Sequence, residues 1–159
     1  MTTTAVRRPR TVHRRGGDVM SERFRVTPHC GDAPPPAEDA CRVGIMRRTA
    51  AARLRCCGLE AMTDDVMLIV SELLTNALLH SGTTEISLTI AVEDGSLHIA
   101  VRDGRPGSAM AKAAEDKDES GRGLLLVEAL VKESGGTWGT SDAGAQTWCS
   151  LALPPEERS

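Results

Sequence analysis

The chain has 159 residues, a net charge of −3 at pH 7 and 26% charged residues. This length suits a single domain with a sizeable core, and the acidic balance gives no general sign of nucleic-acid binding. Phe24, Trp138 and Trp148 are its only aromatic residues, too few for a surface on which bases stack.

The N-terminal segment, residues 1–20, combines a cluster of arginines with almost no apolar content. We expect a disordered tail there, and a contact with an acidic partner is the alternative. No apolar run of signal-peptide or membrane-spanning length is found, so a membrane protein is not expected. The predicted domain covers residues 21–155, and residues 156–159 form a short C-terminal tail.

The five cysteines are odd in number and lack C-x-x-C spacing. This pattern predicts neither a disulfide framework nor a zinc site. We therefore interpret the cysteines as small apolar residues of a cytoplasmic protein.

The first half of the chain predicts one strand and two helices. The strand is "ERFRVTP" (22–28), and the proline-rich run 31–39 is a linker. Apolar residues at helical spacing predict a helix over 38–57 that Gly58 ends. Thr63 is the predicted N-cap of a second helix that continues to about His80.

The second half predicts two hairpins around a polar segment and a helix. Alternating runs 84–92 and 96–103 flank Asp94-Gly95, a strong hairpin signal. Residues 104–123 are too polar for a core element. A helix over 124–134 and strands over 137–140 and 146–153 complete the pattern. This order does not alternate strands with helices, so we expect an α+β fold: a two-layer sandwich with a mixed, mostly antiparallel sheet and helices on one face.

The second helix contains the main functional signal, "SELLTNALLH" (71–80). Glu72, Asn76 and His80 form a narrow polar stripe on a helix that is otherwise apolar nearly all round. A solvent-facing edge would explain such a stripe, but asparagine is a poor residue for the middle of a helix. A bound polar group is the alternative explanation, because a buried amide without a partner costs roughly 2–7 kcal/mol.

Two glycine-flanked motifs follow. In "VRDGRPG" (101–107), Asp103 ends an apolar strand and can accept a hydrogen bond from an exocyclic amine. In "GRGLLLVEAL" (121–130), a glycine pair leads into a helix, where free N–H groups suit a phosphate. Taken alone, the first motif could be an ordinary turn and the second a flexible hinge with a glycine cap. The order and spacing of the two motifs after the polar stripe are stronger evidence of a binding site than either motif.

With these motifs the chain resembles the GHKL (Bergerat-fold, histidine-kinase-like) ATPases, and among them the anti-sigma regulatory factor serine kinases and their actinobacterial relatives. The resemblance extends from about Arg23 to Leu153. It rests on "SELLTNALLH" as the N box, "RDGRPG" and "GRGLLLVEAL" as the glycine boxes, and "QTW" in the last strand.

The resemblance implies a role for each matched position. Asn76 would hold Mg²⁺ on the ATP phosphates, and Glu72 would orient or deprotonate the attacking hydroxyl or water. Asp103 would accept from the adenine amine, near Gly107 and Thr147. The predicted phosphate-binding set is Gly121, Arg122, Gly123 and Leu124, and residues 108–120 would be the ATP lid. For His80, packing or a helix-end hydrogen bond is expected rather than catalysis.

The resemblance also implies a function. It predicts an ATP-dependent serine/threonine protein kinase that binds a sigma factor and phosphorylates a STAS-type anti-anti-sigma protein, as a homodimer without direct nucleic-acid contact. The alternative is a non-catalytic nucleotide-binding module that sequesters a partner. The anti-sigma factor kinases often have Gly-Lys before the last strand, where this chain has Gly144-Ala145-Gln146. This departure bears on kinase efficiency more than on nucleotide binding.

Overall fold

A computed structural model describes residues 16–28, 34–80, 82–103, 119–141 and 145–154; for residues 80 and 119–124 it describes the main chain only. These residues form one five-stranded sheet in the order β1-β2-β3-β5-β4 with helices packed against it. The fold is therefore the expected α+β sandwich. The sheet is not mixed, however, because each of its four strand pairs is antiparallel.

The described residues contain five strands, three α-helices and one 3₁₀ turn. The strands are β1 (Gly16–Arg25), β2 (Glu85–Glu93), β3 (Ser96–Arg102), β4 (Thr137–Ser141) and β5 (Gln146–Ala152). The helices are α1 (Ala37–Cys56), a 3₁₀ turn (Glu60–Met62), α2 (Thr63–His80) and α3 (Glu119–Glu133). A search of the described residues finds no helix with the length and apolar character needed to cross a bilayer.

The predicted β2–β3 hairpin is confirmed. Glu93 pairs with Ser96, which leaves Asp94 and Gly95 as a two-residue loop. Both have positive φ, 47° and 78°. Positive φ at both central residues is the requirement of a type I′ turn, which Asp-Gly meets at little cost.

One face of the sheet is buried by the helices. In β2, Ile86, Leu88, Ile90 and Val92 are buried, while the residues between them are exposed or half-buried. The same alternation in β3 buries Leu97, Ile99 and Val101. Helix α2 packs against β2 and β3 and also contacts α1 and α3, so its leucines complete the core.

Strand β1 begins earlier than the sequence predicts. It starts at Gly16, so the predicted boundary between tail and domain at residue 20 falls inside this strand. Val19 and Met20 are buried in the core, and β1 pairs with β2 as far as Gly16–Glu93. The glycine pair and a bulge between Asp18 and Met20 interrupt the alternation of apolar and polar residues, so the sequence pattern does not indicate this part of the strand.

Helix α1 is tied to the end of β1 by two side chains. The buried carboxylate of Asp39 accepts a hydrogen bond from the N–H of Thr27 at 3.0 Å. The guanidinium of Arg42 donates to the carbonyl of Arg25. These bonds fix the start of α1 beside the strand although a proline-rich connection separates the two elements.

The start of α2 differs from the prediction. The hydroxyl of Thr63 does not cap the helix; it donates to the carbonyl of Glu60 at 2.7 Å. The 3₁₀ turn over Glu60–Met62 runs directly into α2, so Thr63 lies inside a continuous turn rather than at its edge.

Candidate functional site

The topology brings the predicted site residues to one end of the molecule. Arg102, the last residue of β3, pairs with Ser87 near the start of β2 and with Gln146 at the start of β5. Helix α2 ends at His80, a short connection before β2 begins. Helix α3 ends just before β4, whose first residue, Thr137, pairs with Ser150 at the opposite end of the sheet. The start of α3 therefore lies toward the same end as Asp103.

Asp103 lies directly after β3 and is buried, with 8% of its surface exposed. Its N–H donates to the carbonyl of Ala145 at 3.0 Å, which extends the β3–β5 pairing by one residue. Thr147 is opposite Val101 and is half-buried. Because alternate residues share a face, Asp103, Val101 and Thr147 all belong to the helix-covered face, with Thr147 diagonal to Asp103.

Glu72 and Asn76 lie one turn apart in the C-terminal half of α2, and both are half-buried. Their surroundings are more open than the sequence suggests. Leu68 is 36% exposed and Thr75 is also exposed, so this side of α2 is a broad, partly exposed face rather than a narrow polar stripe. A face of this kind leaves room for a ligand beside the amide and the carboxylate.

The second glycine motif is placed differently from the prediction. Helix α3 begins at Glu119 rather than at 124, so Gly121, Arg122, Gly123 and Leu124 belong to its first turns. In a regular helix the N–H of Gly121 has no intrahelical acceptor, whereas that of Gly123 bonds back to Glu119. A phosphate at this helix start would therefore meet the N–H groups of residues 119–121, which include Gly121 of the predicted set.

Several predicted features cannot be located. Gly107 and residues 108–118 of the predicted lid lie outside the described residues, and residues 119–120 belong to α3. Gly144 of the departure from the family pattern also lies outside them. The side chains of His80, Arg122 and Leu124 are not described, so their roles stay predictions.

The groups that are present fit a magnesium-bound nucleotide. A buried carboxylate beside a threonine suits a base with an exocyclic amine, and free N–H groups at a helix start suit phosphate. Magnesium is commonly held by one or two protein oxygens together with phosphate oxygens and water, and an amide such as that of Asn76 is a suitable donor. Among the described residues, no three His, Cys, Asp or Glu side chains cluster as metal ligands.

Sequence reasoning missed one member of this site, Ala145. The residue is buried and its carbonyl holds the main chain of Asp103. A main-chain acceptor leaves no mark in a side-chain pattern. The strand register alone, with Arg102 opposite Gln146, would have indicated it.

The domain has an antiparallel sheet with helices on one face, and a buried carboxylate and a helix start lie at the same end of it. This arrangement is typical of a nucleotide-binding α+β domain. The family model of the histidine kinase-like ATPase domain matches residues 36–150, and the chain belongs to that family. No curated protein matches the chain in a sequence search. Membership of the family confirms the resemblance to the GHKL ATPases and supports ATP as the ligand and an ATPase or kinase type of activity.

Proposed function

We propose that the chain is an ATP-dependent serine/threonine protein kinase of the anti-sigma regulatory factor type. It would act in the cytoplasm as a homodimer, bind a sigma factor, and phosphorylate a STAS-domain anti-anti-sigma protein. The single observation that supports this best is the common location of Asp103, Thr147, the C-terminal half of α2 and the start of α3 at one end of the sheet.

In this proposal the sheet recognises the base. The carboxylate of Asp103 accepts a hydrogen bond from the adenine amine, and Thr147 lies diagonal to it on the same face. The carboxylate is held in place because its own main chain is bonded to Ala145. A buried acceptor of this kind disfavours a base that presents a carbonyl at the same position, since two acceptors then face each other.

The helices bind the phosphates and position the attacking group. Asn76 would hold Mg²⁺, which neutralises charge on the phosphates when it is bound. Glu72 is one turn before Asn76 on the same face of α2, and its carboxylate takes the proton of the attacking serine hydroxyl. The main-chain N–H groups at the start of α3 bind phosphate oxygens.

The alternative is a regulatory module that binds nucleotide without catalysis and sequesters a partner. Gly144-Ala145-Gln146 favours this alternative, because it lacks the lysine that the anti-sigma factor kinases often have there and that could contact a phosphate or a partner. The two candidates differ in the role of Glu72.

Phosphoryl transfer from labelled Mg-ATP to cognate STAS proteins distinguishes the candidates. The kinase proposal expects transfer by the wild type, and a loss of at least about 100-fold in Glu72→Gln with nucleotide affinity changed less than about twofold. Glu60→Gln, the same chemical change at an exposed residue in the 3₁₀ turn before α2, is the matched control and should retain activity. Tight nucleotide binding with no transfer to any cognate substrate would favour the regulatory module.

A further inference from the structure

Helix α1 has regularly spaced residues on its exposed face as well as on the face that packs in the core. Its buried side includes Ala50 and Leu54. On the opposite side, five exposed residues follow one another at spacings of four and three. We call this set the outer stripe; it consists of Cys41, Ile45, Arg48, Ala52 and Arg55.

The outer stripe has the geometry of a helix-packing seam. At about 100° per residue its members fall within roughly 80° of the helix circumference. Alternating steps of four and three are the a/d spacing at which one helix packs along another. Cys41 and Ala52 are small enough for close approach, and Ile45 offers a large apolar side chain that is 44% exposed.

Gly44 adds to this shape. A Cβ at this position would meet only the guanidinium of Arg48, at 3.7 Å. The Arg48 side chain therefore extends back along the helix beside Gly44, the residue that precedes Ile45 in the chain. Apolar contact and positive charge are thus adjacent on one surface.

The charge of this surface is strongly one-sided. Between Ala40 and Cys57 the chain has five arginines and no acidic residue, although its net charge is −3. None of the ion pairs formed within the described part of the chain involves Arg48 or Arg55. Arg42, by contrast, donates to the main chain of β1 and does not belong to the stripe.

We propose that the outer stripe binds an acidic amphipathic helix of a partner protein. Apolar side chains of that helix pack against Cys41, Ile45 and Ala52, and its carboxylates pair with Arg48 and Arg55. A second copy of the chain is a poor occupant because it would place arginines against arginines. A nucleic acid would leave Ile45 and Ala52 without an apolar partner. The proposal does not rest on nucleotide binding, because α1 carries none of the site residues.

Fluorescence anisotropy of a labelled three-heptad peptide, with leucine at a and d and glutamate at e and g, tests the proposal. The full chain is used, without nucleotide. We expect saturable binding that weakens about tenfold in Arg48→Glu/Arg55→Glu and also in Ile45→Glu. The matched control is Arg47→Glu/Arg53→Glu, which makes the same charge change on the other sides of α1, where both arginines are exposed. This control should change affinity less than about twofold.

Three results would overturn the proposal. The first is an equal loss in both double variants, which would show general attraction to a basic helix. The second is equal binding of a peptide of the same composition with its leucines moved off the a/d spacing. The third is a DNA duplex that binds more tightly than the peptide and depends on the same arginines. Circular dichroism checks that each variant is folded, and glutamate retains the helix propensity of these positions.

Discussion

Asp103 is buried at the end of β3 while its neighbour Arg102 is exposed. In the proposed complex, the carboxylate of Asp103 accepts a hydrogen bond from the adenine amine. We expect Asp103→Asn to lower the preference for ATP over GTP by about tenfold or more, because an amide can donate to the guanine carbonyl and loses the charge-assisted bond to adenine.

Competition of both nucleotides against a fluorescent ATP analogue measures this preference. Asp94→Asn is the matched control: it makes the same chemical change at an exposed turn residue whose positive φ asparagine accepts readily. An unchanged ATP preference in Asp103→Asn would place the base elsewhere.

The fold makes the thiol of Cys149 harder to ionise. It is fully buried in β5, and burial raises the pKa of its thiol to about 12, partly offset by a hydrogen bond with the main chain of Ile99. Above pH 9 the unfolded chain loses this proton while the native chain keeps it. The unfolded state then binds fewer protons, so stability falls as pH rises from about 9 to about 12.

Titration of the Cys149 thiol should lower the free energy of unfolding by up to about 1.4 kcal/mol per pH unit between about pH 9 and about pH 12. Urea denaturation at several pH values measures the slope. Cys149→Ala should flatten it, whereas Cys56→Ala, which removes an exposed thiol, should leave it near that of the wild type. A Cys149→Ala slope equal to that of the wild type would contradict the account.

The helix ends show how local sequence determines an element. Helix α3 closes with the N–H of Gly136 bonded to Val131 at 2.8 Å and that of Gly135 bonded to Lys132 at 3.0 Å. Helix α1 closes in the same way, with Leu59 bonded to Leu54 and Gly58 bonded to Arg55. Both are Schellman motifs with glycine at positive φ, which is why glycine predicts these two ends so well.

Among these glycines, Gly136 has the least space for a side chain. An alanine Cβ at 136 would stand 1.8 Å from the carbonyl oxygen of Ser150, a main-chain atom that cannot move aside without distorting β5. We expect Gly136→Ala to cost more than about 3 kcal/mol or to prevent folding. Gly58→Ala, where φ is +76° and no atom lies within 4 Å, should cost only about 1–2 kcal/mol.

Chemical denaturation of the two variants measures this difference. Similar losses for Gly136→Ala and Gly58→Ala would show that the close approach of α3 to β5 relaxes easily. A loss confined to Gly58→Ala would contradict the packing directly.

The sequence predicts elements best where one local cause determines them. Asp94-Gly95 determines a turn, and Gly58 and Gly135 determine helix ends. The predicted bounds were wrong where contacts with residues distant in the sequence determine an element. Val19 and Met20 extend β1 only because β2 is beside them, and the start of α3 at Glu119 has no periodic apolar signal. The same holds for the site. The resemblance indicated that Thr147 lies near Asp103, but the strand register is needed to show their diagonal arrangement and the contact of Asp103 with Ala145.

At the scale of the whole molecule, the central feature is the convergence of sheet end, α2 and α3 at one end of the domain. The strand register sets the positions of Asp103 and Thr147. In the proposed complex, α2 would contribute Glu72 and Asn76, and the start of α3 would contribute N–H groups. Family membership supports ATP as the ligand, and the magnesium dependence assigned to Asn76 is the part of the proposal most open to direct test.

Thermal unfolding with and without nucleotide is that test. A ligand at 100 times its Kd adds about 2.7 kcal/mol to the stability of the native state, which for a domain of this size raises the Tm by about 5 °C or more. We predict such a shift for the wild type with millimolar Mg-ATP, and a much smaller one when magnesium is chelated. Asn76→Ala should lose the magnesium-dependent part, and Glu60→Gln, at the far end of α2, should keep it. No shift of the wild type at millimolar Mg-ATP would contradict the account.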